Sequence, residues 1–218
     1  MLSTLGFVPA DFVHLVRHGE VNNPDRILYG RLDGFGLTPR GHQMAERVAT
    51  YLARRPIAAI VASPLQRTQE TAAPLAKATS LNVTLDERVI EGSNHFQGSR
   101  VSASRLLRTP SLWPLLRNPL KPSWAEPYRQ IASRMMAALN DAYESVDSGD
   151  VVVVTHQLPI WMVHRSVAGV PLPHLPTSRR CTLGSVTTVH KVDGKWREFS
   201  YEEPSKDLLE DAVDLGAV

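Results

Sequence analysis

Cysteine is almost absent from this chain: Cys181 is the single thiol in 218 residues, so no disulfide can form within it. Long apolar runs are missing as well. The longest strong one, Val151 to Val154, is strand-sized and far short of the roughly 20 residues that cross a bilayer, so no membrane association is expected. The first residues carry neither the basic flank nor the extended apolar stretch of a secretory signal. These absences together predict a protein of the reducing cytosol.

A strong net charge is lacking too. The balance of 24 Lys and Arg against 22 Asp and Glu leaves +2, which gives no electrostatic footprint for nucleic acid. The charges are unevenly spread. Between Ser99 and Arg134 the only acid is Glu126, against Arg100, Arg105, Arg108, Arg117, Lys121, Arg129 and Arg134. The end of the chain, about 202–218, is acidic and reads as a solvated, frayed tail. With 43% apolar content, the chain suffices for one sizeable core, and a single domain spanning 1–218 is expected.

Several stretches have a clear local reading. Phe12 to Arg17 is strand-like and stops at His18-Gly19-Glu20, before a loop rich in Asn, Pro and Gly that runs to Gly36. Thr38 then stands as N-cap ahead of Pro39, and Met44, Val48, Tyr51 and Leu52 recur at helical spacing. Ile57 to Ala62 reads as a buried strand, and Ser63-Pro64 repeats the cap-then-proline signal before a helix with Arg67 in its first turn. A short strand near Leu81 to Leu85 precedes a loop from Gly92 to Gly98. The proline-broken segment at about 99–125 holds only short helical pieces and reads as an insertion or lid, with a solvated basic face as the competing view.

The later elements follow the same logic. A helix from near Glu126-Pro127 to Val146 leads into Val151 to Thr155, whose lack of alternation marks a central strand covered on both faces. His156 falls at that strand's end, a helix is expected over Pro159 to Ala168, and a hairpin turns at Asp193-Gly194. Strands alternating with helices predict a three-layer α/β/α sandwich with a mostly parallel central sheet. In such sheets ligands sit beyond the carboxyl ends of the strands, and His18, Arg67 and His156 each follow one.

The stretch Leu15-Val16-Arg17-His18-Gly19-Glu20 resembles the histidine phosphatase superfamily (phosphoglycerate-mutase-like, branch 1), recognised by an Arg-His-Gly triplet after its first strand. About the first seven-tenths of the chain fits that family's order of elements. The resemblance implies that His18 is a nucleophile forming a phosphohistidine and that Arg17 binds phosphate. It also implies that Arg67, in Ser63-Pro64-Leu65-Gln66-Arg67-Thr68, is the second phosphate-binding arginine and that His156 is the second histidine.

The residue chemistry agrees with those roles. A neutral imidazole can attack phosphorus, and two guanidinium forks plus a second imidazole can hold the equatorial oxygens, so neither metal nor cofactor is called for. A carboxylic acid has to protonate a poor leaving group. Glu91 is the candidate, because the resemblance implies an acid ahead of an aromatic-X-Gly ending, which Phe96-Gln97-Gly98 resembles. Its spacing is one residue short of the commoner pattern, which keeps Glu87 as a rival and Glu20 as a weaker third.

Asn23, with Asn22, is a candidate phosphate-side contact, although Pro24 disturbs the family spacing. Gln157 stands where relatives usually have Gly after the second histidine. The bland readings are a turn histidine for His18, a capping histidine for His156, a surface ion pair for Arg67 and a solvated loop carboxylate for Glu91. The expected activity is hydrolysis of small phosphomonoesters, with mutase-type transfer and a non-catalytic phospho-ligand module as the alternatives.

Overall fold

The structure is a computed structural model that describes residues 9–100 and 125–214. Six strands form one sheet: β1 (Val13–Arg17), β2 (Ile57–Ala62), β3 (Val83–Leu85), β4 (Asp150–Thr155), β5 (Val186–Val192) and β6 (Lys195–Glu202). Their order is β3-β2-β4-β1-β5-β6. The first four in that order pair parallel, and the β5-β6 hairpin adds to β1 antiparallel. The helices are α1 (Pro39–Leu52), α2 (Gln66–Thr79), α3 (Tyr128–Glu144) and α4 (Gln157–Val167).

The two-residue period of the strands sorts their side chains into two cores. Val13, Leu15, Val151 and Val153 pack with Ile131, Met135 and Leu139 of α3 and with Leu158 and Met162 of α4. Val16, Val152, Val154, Ile60 and Ala62 face the other way, against Val48 and Leu52 of α1 and Leu75 of α2. Helices therefore cover both faces, which is why β1 and β4 are buried along their whole length. Each fully buried Leu, Ile or Val contributes about 1.5–3 kcal/mol, so these two layers supply the stability that the polar rim does not.

Local signals account for most element ends. The Thr38 hydroxyl accepts from Gly41 N–H at 2.9 Å, with Pro39 in the first turn, as its cap reading requires. The cap-then-proline reading at Ser63-Pro64 fails: α2 starts at Gln66, its N-cap is Leu65, and no side chain caps it. The Ser63 hydroxyl is instead hydrogen-bonded to His156 Nε2 at 2.8 Å, and that tertiary partner overrides the local one. α4 starts at Gln157, two residues before the expected Pro159, because a proline in a first turn removes no helical hydrogen bond. Gln157 is itself helical, so its position does not demand glycine.

The acidic tail is the larger correction. Asp207 pairs with Arg47 at 3.2 Å, Val213 N–H donates to Glu20 Oε1 at 2.7 Å, and Asp214 forms an ion pair with Arg17. Tail residues as far as Asp214 thus lie along basic side chains of α1 and β1, which a local reading of charge could not find. The expected lid lies largely outside the described residues.

The two-core arrangement has a direct consequence. Leu15→Ala, in the middle of β1, is expected to lower unfolding free energy by about 3 kcal/mol in denaturant titration. Leu85→Ala, at a half-exposed site, is expected to change it by less than about 0.5 kcal/mol.

Candidate active site

Strand register assembles the site. Arg17 pairs with Thr155 and Val154 with Ala62, so His18, His156 and Ser63 leave β1, β4 and β2 side by side. The His18 backbone is held from both neighbours: its N–H donates to Thr155 O at 3.2 Å, and its carbonyl accepts from Gly184 N–H at 3.2 Å. Arg67 arrives in the first turn of α2, next to this row. Glu91 follows β3 and the short 3-10 turn Glu87–Val89, which Thr155 Oγ1 ties to the sheet through Val89 O at 2.5 Å. Arg17, His18, Arg67, Glu91 and His156 are none of them more than 2% exposed.

His18 and His156 meet edge to face, with ring centroids 5.3 Å apart. His18 Nδ1 lies 2.8 Å from Gly19 O. A carbonyl can only accept, so Nδ1 carries the proton and Nε2 keeps its lone pair. The glycine of the triplet permits this geometry, because a Cβ on Gly19 would fall 2.5 Å from Gly41 O. Burial, then the charges of Arg67 and Arg17, hold the His18 pKa well below 6.5. The His156 pKa is depressed in the same way, by burial first and then by Arg67.

Arg67 donates to Gly30 O at 2.7 Å, and its guanidinium lies 4.8 Å from the centre of the Tyr29 ring. Burial is the main influence lowering its pKa. Burial also works against Arg17, but the charge and hydrogen bonds of Asp214 outweigh it and leave the Arg17 pKa raised. Three buried polar atoms of this cluster, Arg17 Nε, Arg67 Nε and His156 Nδ1, have no hydrogen-bond partner among the described residues. A cation in the first turn of α2 adds to the positive helix end, and both favour an anion there.

Glu91 accepts from Gly92 N–H at 2.8 Å. Burial raises its pKa against the opposing pull of Arg67, Arg179 and Arg17. Its carbonyl accepts from Arg31 Nε at 2.6 Å and Arg134 at 3.3 Å, and Glu126 pairs with both arginines, so this loop is clamped from behind. Arg134 and Glu126 are therefore structural here, not part of a solvated basic face. Glu87 is exposed in the 3-10 turn, and Glu20 bridges Thr38, Arg40 and Val213.

Asn23 is not brought into the cluster. Its amide nitrogen donates to Ile27 O at 2.8 Å and its amide oxygen accepts from Ile27 N–H at 3.1 Å, closing a local ring. His95 is exposed and lines an outer cleft with Arg31, Asn94 and Gln130. Sequence reasoning missed Tyr29, which sits in a loop without periodicity, and Ser63, whose hydroxyl it assigned to a cap. It also missed Arg179, which donates to Gln157 Oε1 at 3.3 Å and His174 Nε2 at 2.9 Å beside Glu91.

Arg17, Arg67 and two imidazoles with depressed pKa values thus gather at the carboxyl ends of parallel strands, an arrangement suited to an anion. The profile of the histidine phosphatase superfamily (branch 1) matches residues 13–203, and the chain belongs to that superfamily. It is 46% identical over 194 residues to the uncharacterized protein Rv0525 of Mycobacterium tuberculosis, covering 88% of this chain and 96% of that one. Phosphoserine phosphatase 1 of Hydrogenobacter thermophilus is 28% identical, with 81% and 84% covered. A probable phosphoglycerate mutase, GpmB of an Enterobacter species, is 29% identical, with 73% and 75% covered. The fold matches the solved structure of Bacillus stearothermophilus YhfR with a TM-score of 0.74 at 24% identity, covering 86% of this chain and 94% of that one.

The depressed histidine pKa values fix a sign. Below about pH 6.5 the unfolded chain binds protons that the folded imidazoles refuse, so their contribution to stability is full above that pH and is lost as pH falls further. Denaturant midpoints are expected to drop on the acid side, and His18→Asn should flatten that slope. Nitrogen-15 NMR at pH 6 should show His18 neutral with the proton on Nδ1.

Proposed function

We propose that the protein is a metal-independent phosphatase that hydrolyses small phosphomonoesters through a phosphohistidine on His18. The observation that carries this reading is the hydrogen bond from His18 Nδ1 to Gly19 O, which leaves Nε2 unprotonated beside two buried guanidinium groups. Nε2 attacks phosphorus in line as the bond to the ester oxygen breaks. Arg17, Arg67 and His156 hold the three equatorial oxygens, replacing water with fixed donors. With Nε2 of His156 hydrogen-bonded to the Ser63 hydroxyl, the unpartnered Nδ1 is the ring nitrogen left for the phosphoryl group, and it is an N–H donor in the tautomer in which Ser63 donates to Nε2. This donor set neutralises the charge that a metal would otherwise meet.

Glu91 supplies the proton to the leaving oxygen. It then accepts one from a water that attacks phosphorus, which breaks the P–N bond and releases inorganic phosphate with His18 neutral again. Its raised pKa suits the first of these acts. The relative named as a phosphoserine phosphatase supports transfer to water. The relative named as a probable phosphoglycerate mutase favours a second reading, in which the phosphohistidine passes its group to another substrate molecule. The buried, unpaired Cys181 fits the proposed reducing compartment, and among the described residues no helix is long and apolar enough to cross a membrane.

Phosphate release from a panel of phosphomonoesters with EDTA present tests the proposal. Release that survives EDTA and vanishes in His18→Ala is expected, with radiolabel from a labelled substrate retained on the wild type after an alkaline denaturing quench, lost on acid treatment as a P–N bond requires, and absent from the variant. Labelling without release until a second phosphorylated substrate is added would sink hydrolysis in favour of transfer.

Glu91→Gln gives a separate check. It is expected to slow alkyl phosphate turnover by about 10²–10⁴-fold. In the single-turnover phosphorylation step, where Glu91 acts only as donor, p-nitrophenyl phosphate should suffer much less, since its leaving group needs no proton. Equal losses on both substrates in that step would remove Glu91 as the donor.

A further inference from the structure

Arg17 is completely buried, yet one side chain from the other end of the chain reaches it. The Asp214 carboxylate lies across the guanidinium, with Oδ2 accepting from one terminal nitrogen at 2.8 Å and Oδ1 accepting from the other. Arg17 also donates to Cys181 O at 2.6 Å, which fixes the guanidinium whether or not an anion is present. Two parallel N–H···O bonds to a planar or tetrahedral oxyanion are the way a guanidinium holds carboxylate and phosphate alike. Asp214 therefore takes the place on Arg17 that a phosphoryl oxygen pair would take.

The segment leading to Asp214 is attached in graded steps. Ser205 is buried, with its hydroxyl donating to Leu183 O at 3.2 Å, and it fills the space beside Gly184 that a Cβ would need. Gly184 in turn donates to the His18 carbonyl, so the root of the tail is built into the site's own frame. Beyond Ser205 the contacts run along the surface of α1. Asp207 with Arg47 is a solvent-exposed pair at 3.2 Å, worth little by itself, and the half-buried Arg40 meets the Asp211 carboxylate at 3.9 Å while also donating to the Asp211 carbonyl. Val213 N–H reaches Glu20 Oε1 at 2.7 Å, in the loop that follows His18. The tail is thus fixed at its root and held at its tip chiefly by the Asp214 carboxylate on Arg17 and the Val213 N–H on Glu20.

We propose that the C-terminal tail is a tethered anion that closes the Arg17 half of the phosphate site and must be displaced by substrate or product. The idea rests on the phosphate-site reading given above. A phosphoryl group displaces the carboxylate because it also engages Arg67 and His156, for which the structure shows no contact with Asp214. Tethering gives the carboxylate an effective concentration roughly in the millimolar range, so it competes with free phosphate for Arg17. The apparent affinity for phosphate is reduced by the fraction of molecules with the seat open.

The test uses inorganic phosphate as the probe, in calorimetric titrations of wild type, Asp214→Asn and a chain ending at Glu210. Both altered proteins are expected to bind phosphate about two- to tenfold more tightly than wild type. Within an Arg17→Ala background, Asp214→Asn should bring no gain over Arg17→Ala alone, which separates removal of a competitor on Arg17 from a general loosening of the rim. Unchanged or weaker binding in both altered proteins would overturn the proposal, and weaker binding would mean that Asp214 positions Arg17 for its ligand. Absence of phosphate binding in all three folded proteins would overturn the phosphate-site reading along with it, whereas binding that ignores the carboxylate overturns the tail alone.

Discussion

The hydrogen bond from His18 Nδ1 to Gly19 O is the constraint on which the rest of the site depends. An imidazole without it has two interchangeable tautomers, and only one presents a lone pair at Nε2. The bond requires the Gly19 carbonyl to turn back onto the ring of its own predecessor, and three features enforce that turn. Thr155 at the end of β4 and Gly184 in the turn before β5 clamp the His18 peptide. Thr71 Oγ1 accepts from Gly19 N–H at 3.1 Å. The close approach of α1 leaves no room for a side chain on Gly19. Sheet register, helix packing and a missing Cβ thus converge on the protonation state of one nitrogen.

The second theme is cationic charge held out of water. Arg17 and Arg67 are buried beside two imidazoles, and their steady partners are carbonyl oxygens and the face of Tyr29. Buried charges without full compensation destabilise a fold, and functional sites are where such arrangements persist. The two apolar layers on either side of β1 and β4 offset that cost. Where a carboxylate does reach the cluster, through Asp214, it raises the pKa of Arg17, while Arg67, without such a partner, is lowered by burial.

The fold was legible in the sequence wherever the signal was local. The unalternating Val151 to Val154, the Thr38-Pro39 start and the Asp193-Gly194 turn each correspond to an element of the structure. Arg17, His18, Arg67 and His156 could be grouped because each follows a strand and parallel sheets gather such positions. What stayed hidden was tertiary. Ser63 could not be separated from a helix cap because the competing partner lies 93 positions away. The tail could not be separated from a frayed end because its partners, Arg17, Arg40 and Arg47, belong to the first fifty residues. Tyr29 gave no signal at all, since nothing in its loop repeats.

Desolvation links the base and the acid of the proposed reaction. Removing water from a pocket disfavours every charged form, so it lowers the pKa of an imidazole and raises that of a carboxyl group. His18 and Glu91 experience the same burial and move in opposite directions, toward the neutral nucleophile and the neutral proton donor that phosphoryl transfer from a monoester requires. The arginines act on both as well. They push His18 further down, which helps, and they pull Glu91 down, which works against the donor. Burial is the larger influence on Glu91, so exclusion of water from this rim matters more to its protonation than the charges around it. An opening that admits water would weaken nucleophile and acid together, which makes the segments bordering the site, including the tail at Asp214, part of its acid-base chemistry.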